Sequence, residues 1–282
     1  MGYNLDCSLF ERLCTSGYPV CSLTHQYNMH SDIAGLINLH YPGLRISREP
    51  HENHILRGFQ ENVVFVNVSS KKKEIVAPGG SQDSFQNERE GDMTHKCLQY
   101  LVQQNYKTED IVVLTPCSGQ VALLRGKLSQ TFNVALNNVD LRDAGLRSVS
   151  MSSSPDNKPW IRLSTIENYE DGPYDIVIAS LVRNNTEKDI SPMDRAGRLH
   201  RLISTARNGL IVVGNAETFM RTESKRHDCN DFTRKLEHDG KIYNGFPLKC
   251  EKHPEHLITA RCPGDFDLKC PDGGCAKPCK YG

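Results

Sequence analysis

Apolar positions along the chain switch repeatedly between two spacings. In Cys7–Cys14, Leu9, Phe10, Leu13 and Cys14 recur three and four residues apart, one face of a helix. Asn62–Val68 is different: Val63, Val64, Phe65, Val66 and Val68 form an almost unbroken apolar run, which predicts a buried strand. Helical spacing returns in Glu88–Gln103, where Met93, Cys97, Leu98, Leu101 and Val102 share a face, and again over Gln120–Leu128. Ile111–Leu114, Ile161–Thr165 and Asp175–Leu181 read as strands, Leu199–Ala206 as a helix, and Leu210–Val213 as a last core strand ending at Gly214. Continuous apolar strands separated by helices imply an α/β fold with a parallel sheet covered on both faces. Ligands of such sheets bind outside the carboxyl ends of the strands. Ser69–Ser84, with Lys71–Lys73 and Pro78-Gly79-Gly80, reads as a long loop, and Val139–Trp160 as a second irregular stretch.

The 282 residues leave room for one large domain or two small ones. With 38% apolar and 24% charged residues the chain can bury a core, which excludes a mostly disordered or fibrous protein. No apolar run approaches the roughly 20 residues that span a bilayer. Lys and Arg total 34, as do Asp and Glu, so a uniformly basic nucleic-acid coat is excluded but a local basic groove is not. The start carries no signal-peptide pattern, which predicts an intracellular protein, cytoplasmic or nuclear. The eleven cysteines then read as metal ligands or buried thiols rather than disulfides. Cys250, Cys262, Cys270, Cys275 and Cys279 crowd the end of the chain with His253 and His256. That shift divides residues 1–245 from a Cys/His-rich, irregular segment, 246–282. Cys250 and His253, and Cys275 and Cys279, have zinc-ligand spacing. The set is not the standard pattern of one finger, and Cys275 and Cys279 equally suit the opening pair of a finger completed beyond Gly282.

Walker-type G-x-x-x-x-G-K-[ST], G-x-S-x-G, H-E-x-x-H and G-x-G-x-x-G are all absent, so a self-contained nucleotidase, hydrolase or dehydrogenase has little support. Other segments stand out in order: Ser8-Leu9-Phe10-Glu11-Arg12-Leu13, Gln26-Tyr27-Asn28-Met29-His30, Thr115-Pro116-Cys117-Ser118-Gly119-Gln120, Ser164–Tyr169, Asp175–Asn185, Ser204-Thr205-Ala206-Arg207 and Gly214-Asn215. Together they resemble the second RecA-like domain of superfamily-one helicases, the Upf-like and Dna/NAM-like group, and within it the NFX-type zinc-finger-containing helicases. Cys250–His256 and Gly273–Cys279 resemble the segment leading into that family's zinc-finger array. The likeness covers nearly the whole chain.

The resemblance implies a RecA-like fold, RNA as ligand, and ATP with magnesium in a cleft shared with a first RecA-like domain. That first domain, which supplies the P-loop and the magnesium carboxylates, would precede this chain. RNA surveillance or small-RNA-linked silencing, with other proteins of those systems as partners, is the implied setting. Residue by residue, Gln26, Glu170 and Arg207 fall on the nucleotide side, and Thr115, Thr165 and Arg183 on the RNA backbone. Read without the family, Thr115 and Thr165 cap helices, Arg183 is a surface ion pair and Lys71–Lys73 a solvated loop. The departures matter too. The family's Gln-Tyr-Arg-Met-His has Asn28 for Arg, and Ser/Thr-Arg-Ala-Lys/Arg has Thr205 for Arg. An arginine finger is worth about 10³–10⁵ in rate. Glu170-Asp171-Gly172-Pro173 replaces Gln/Glu-Gly-Glu-Glu, placing Asp171 where Gly would admit the ligand and Pro173 where a donor is lost. These changes predict a degenerate cleft and a chain that does not hydrolyse ATP alone, with Arg207 the substitute finger if the backbone shifts. The alternative reading is a non-enzymatic RNA-binding or scaffold module. The motif order predicts Gln26–His30, Thr115–Gln120, Ser164–Asp171 and Ser204–Arg207 at one edge of the sheet.

Overall fold

The near-unbroken apolar runs become the central strands of a parallel sheet. In the computed structural model, residues 7–38, 41, 43–47, 55–68, 74–77, 84–146, 158–222, 227–250, 253 and 255–267 are described. α1 (Leu9–Thr15), β1 (His25–Gln26), α2 (Ser31–Ile37) and β2 (Arg45–Ile46) lead into β3 (Val63–Asn67). Then come β4 (Ile75–Val76), β5 (Phe85–Gln86), α3 (Glu88–Gln103), β6 (Ile111–Thr115), α4 (Ser118–Leu128), β7 (Asn133–Ala135) and α5 (Asn138–Asp143). The chain continues through β8 (Trp160–Thr165), β9 (Tyr174–Ser180), α6 (Arg198–Thr205), β10 (Ala206–Gly214) and α7 (Ala216–Met220). It closes with α8 (Asp228–His238), β11 (Ile242–Tyr243), β12 (Phe246–Lys249) and β13 (Leu257–Ala260).

Seven strands form the main sheet in the order β11-β3-β10-β9-β6-β8-β7, and each neighbouring pair is parallel. Both faces are buried, so alternate residues of one strand feed different cores. Val177 and Ala179 of β9 meet α2, α6 and α8 through Ile33, Leu202 and Phe232. Ile176 and Ile178 meet α3 and α4 through Leu98 and Leu124. The 16-residue α3 has the bounds its periodicity predicts, opened by Asn87, whose side chain accepts from the Glu90 amide.

The expectations fail where tertiary contact overrides local pattern. Helix α1 forms, capped by Ser8, but no residue of it is buried, and Leu9 and Phe10 are 73% and 70% exposed. Ala206, expected to end a helix, opens β10 instead. Val139–Trp160 begins within α5 rather than irregular chain, and residues 147–157 lie outside the described residues. Of the Ser69–Ser84 stretch, Ile75 and Val76 pair with Gln86 and Phe85 as a small hairpin, and Lys71–Lys73 lie outside the described residues. The composition shift at residue 246 predicts an irregular tail, whereas the chain there continues into the core. β12 and β13 form an antiparallel hairpin, and Phe246, Leu248, Ala260 and Phe266 pack with Phe59 and Tyr100 beneath α3. Phe246 is as buried as any sheet residue because its ring meets Phe266 at 5.1 Å and Phe59 at 6.4 Å. Cys270, Cys275 and Cys279 lie outside the described residues.

Candidate nucleic-acid interface

Thr115 and Thr165 end neighbouring parallel strands and are register partners, so they sit side by side at the carboxyl edge. Ile166 donates its amide to the Thr115 carbonyl at 2.9 Å, which fastens the two strand-end turns together. Beneath them lies Asp140, a fully buried carboxylate from α5. It accepts from Ser164 Oγ at 2.6 Å, Thr165 N at 2.9 Å, Thr165 Oγ1 at 2.6 Å, Asn168 Nδ2 at 2.9 Å and Asn137 Nδ2 at 2.9 Å. A buried charge is tolerated only when hydrogen-bonded in this way. Asp140 was hidden in a stretch that reads as irregular, and its Asn-x-x-Asp cap was the one local signal for it. The Thr165 hydroxyl is therefore spent on Asp140, Thr115 is fully buried, and of these two turns Ser118, Glu167 and Asn168 are the residues that reach the surface.

A second buried network supports the next turn. The end of β9 passes into Val182, whose φ of 73° is strained for a β-branched residue. Glu90 Oε2 accepts from Val182 N at 2.8 Å and from Ser180 Oγ at 2.8 Å, while Asn87 Nδ2 donates to Val182 O at 3.1 Å. Gln120, from the Thr115–Gln120 segment, donates to Ser180 Oγ at 3.0 Å and to Asn87 O at 3.1 Å. Complete burial, opposed by the bonds from Val182 and Ser180 and reinforced by the neighbouring Glu74 charge, pushes the Glu90 carboxyl up to about 8. Gly119 lets α4 start against this hairpin: a Cβ there would come 2.7 Å from Ala77 Cβ and 2.9 Å from the Phe85 carbonyl.

Arg183 does not face outward as a phosphate contact would. Its side chain is 4% exposed, pairs with Asp189 at 2.5 Å and buried Glu74 at 3.6 Å, and lies 3.8 Å over the Phe85 ring. Its charge is neutralised internally, and it clamps the β9 turn to the β4–β5 hairpin.

The four motif segments are not gathered at one edge. Parallel strands place Thr115–Gln120 and Ser164–Thr165 at the carboxyl edge, whereas Arg207 lies at the amino end of β10, where Ala206 pairs with Tyr174 at the start of β9. Gln26–His30 joins Arg207 there: His30 N donates to the Arg207 carbonyl at 2.6 Å. Gln26 closes that turn by donating to Met29 O at 3.1 Å and accepting from Met29 N at 2.9 Å, leaving Asn28 exposed. The crossover from β8 to β9 and the helix α6 link the two ends along one face.

Between that crossover and α6 lies a cavity of about 510 Å³ lined by Glu167, Tyr169, Glu170, Asp171, Gly172, Pro173, Arg201, Ser204 and Thr205. Glu170 and Thr205 thus line the same cavity, while Arg207 is outside the lining and pairs with Asp175 at 3.8 Å. Thr205 bonds back to the Arg201 carbonyl at 2.7 Å. Arg201, one helical turn earlier, is the cation of this cavity, and the sequence reading missed it. It donates to the carbonyls of Glu167 at 2.5 Å and Ile166 at 3.3 Å. Asp171 is held by Arg162 at 2.8 Å, and Glu167 by Arg195 and Arg198.

At the tip of the β12–β13 hairpin, Cys250 Sγ is 3.5 Å from His253 Nδ1. Two tetrahedral zinc ligands at about 2.3 Å for sulfur and about 2.0–2.1 Å for nitrogen stand at roughly that separation. The pair therefore fits two corners of a zinc site. No group of three or more His, Cys, Asp or Glu able to hold a metal occurs among the described residues.

The AAA domain family matches residues 5–217. The NFX1-type zinc finger-containing protein 1 of Mus musculus is 28% identical over 282 residues, covering 99% of this chain and 13% of that protein. The helicase required for RNAi-mediated heterochromatin assembly 1 of Schizosaccharomyces pombe is 26% identical over 215 residues, 76% of this chain and 19% of that protein. The regulator of nonsense transcripts 1 homolog of Drosophila melanogaster is 25% identical over 249 residues, 85% of this chain and 19% of that protein. The chain thus spans less than a fifth of the length of each of these relatives. Among the described residues no helix is long and apolar enough to cross a membrane.

Proposed function

The chain belongs to the AAA domain family, in the helicase-like branch of the NFX1-type zinc finger-containing proteins, and from that premise we propose that it is an RNA-binding second RecA-like half of a helicase core with a degenerate ATP side. The observation that carries the RNA reading is the paired carboxyl-edge turn of Thr115 and Thr165, held from below by Asp140. Turns at that edge are where open parallel sheets receive ligands. With Thr115 and Thr165 buried as its supports, the part-exposed polar residues Ser118 and Asn168 of these turns suit a phosphodiester strand read without base preference. Arg183 acts as an organiser of the neighbouring turn. The relatives' own names point to nonsense transcripts and RNAi-mediated heterochromatin, which supports a role in RNA surveillance or silencing inside the cell, cytoplasmic or nuclear, with proteins of those systems as partners.

ATP and magnesium would meet this half at the cavity beside α6. Its lining sets Glu167, Glu170 and Asp171 against Arg201, whose guanidinium already serves two carbonyls. Asn28, Thr205 and the paired Arg207 add no free cation there. Such a lining does not fit a polyphosphate, so no hydrolytic step is assigned to it. This charge balance favours a non-enzymatic RNA-binding module over an active motor, with or without a first RecA-like domain as partner. Zinc would take Cys250 and His253 as two ligands, with Cys275 and Cys279 the sequence-based candidates for the others; bound there it would fix the hairpin tip.

The test pairs two measurements on the 282-residue chain. Single-stranded RNA should bind with little base preference, by fluorescence anisotropy, while ATP turnover stays at background with RNA present. Strict sequence specificity would overturn the backbone reading, and robust turnover would overturn the degenerate cleft.

A further inference from the structure

A second cavity, of about 340 Å³, opens at the carboxyl end of β3 and is lined by Val66, Asn67, Val68, Arg89, Met93, Asn244, Gly245 and Arg261. Three separate parts of the chain build it. Arg89 comes from the first turn of α3, Asn244 and Gly245 from the turn before β12, and Arg261 from the end of β13. Arg89 and Arg261 are exposed, and neither forms an ion pair among the described residues. Asn67 Nδ2 donates to Asn244 Oδ1 at 3.4 Å, which orients the Asn244 amide, and Asn67 Oδ1 is taken by Ala216 N at 3.1 Å.

The frame is rigid on the side that carries Arg261. A Cβ at Gly245, where φ is 156°, would lie 2.6 Å from the Ala260 carbonyl, so only glycine lets the two backbones close. Asp265 Oδ2 accepts from Arg261 N at 2.7 Å and Cys262 N at 2.9 Å, fixing the backbone that presents the guanidinium. Docking of the hairpin on the core is what brings Arg261 to Arg89.

We propose that this cavity is a phosphate-binding subsite, in which Arg89 and Arg261 hold one phosphodiester of the RNA strand that tracks the carboxyl edge. The inference rests on the RNA reading above. Two planar guanidinium groups and an amide donor around one hollow match the chemistry of a phosphate. Placement favours a strand over a free anion. The carboxyl ends of β3, β10, β9, β6 and β8 lie along one edge, so at about 4.8 Å per strand the cavity is roughly 14 Å from the Thr115 end and 19 Å from the Thr165 end. A short oligonucleotide seated at Thr115 and Thr165 cannot reach it, whereas a longer one can.

The test is a salt titration of oligouridylate binding by the full 282-residue chain, with a trinucleotide and a 15-mer. Arg89→Ala with Arg261→Ala should weaken the 15-mer several-fold and reduce the log–log salt slope by about 0.7, the value for one single-strand phosphate. The trinucleotide should be unaffected, and the double lysine variant should retain the slope. Equal slopes for the wild type and a folded double alanine variant would overturn the subsite while leaving the RNA reading intact. Pyrophosphate that binds with the same arginine dependence, while the 15-mer is indifferent to both arginines, would make it a small-anion site and overturn the strand placement. A wild-type chain that binds no RNA would overturn both.

Discussion

Replacing Asp140 by alanine tests whether the carboxyl-edge turn is held from below. The substitution removes the acceptor of Ser164 Oγ, Thr165 N and Thr165 Oγ1, all within a buried site. A buried donor left without an acceptor costs about 1–3 kcal/mol, so three of them set an upper range of roughly 3–9 kcal/mol. Water entering the vacated space re-satisfies part of this, and about 4 kcal/mol is the expected loss. Asp140→Asn keeps one acceptor oxygen and should lose about 2 kcal/mol. Trp160, the single tryptophan, opens β8 and reports on this strand during urea unfolding. For a domain of this size the alanine variant should shift the midpoint down by about 1 M or more. Arg142→Ala, on the exposed face of the same helix, should stay within about 0.5 kcal/mol of the wild type. An Asp140→Ala protein as stable as Arg142→Ala would refute the idea that this carboxylate organises the turn.

Arg183→Ala should cost about 3–5 kcal/mol, because buried Glu74 loses its cation, and should leave the salt dependence of RNA binding by the remaining folded fraction unchanged; a stable variant with a shallower salt slope would restore Arg183 as a phosphate contact. Glu90 carries a carboxyl raised from its ordinary 4.5 to about 8, so between those values the folded protein holds more protons than the unfolded chain. Its contribution is fully present below about 4.5 and is lost as pH rises through about 8, a difference on the order of a few kcal/mol. Urea midpoints at pH 5.5 and 8 should show that fall in the wild type and a smaller one in Glu90→Gln; the same fall in both would remove Glu90 as its source.

The sheet was legible in the sequence because a strand buried on both faces must be apolar at every position, and Val63–Val66, Ile111–Leu114 and Ile176–Ala179 carry that signal without help from context. Helix α3 was legible because one face repeats over 16 residues. The motif segments could be read because each is contiguous. What the sequence could not determine is which partner a polar side chain meets, since that depends on crossovers that bring distant residues together. Arg183 reads the same outside or inside until Glu74 and Phe85 fold over it. Thr205 and Arg207 are sequence neighbours of the expected cleft, yet one helical turn and the start of β10 put Thr205 in the cavity, send Arg207 to Asp175, and bring in Arg201 instead. The division at residue 246 followed cysteine composition, but burial follows shape, and Phe246 and Phe266 fill space beside Phe59 and Tyr100 that no local pattern describes. Parallel strand order finally separated the amino-end motifs from the carboxyl-end ones, because every parallel strand sends its two ends to opposite edges of the sheet.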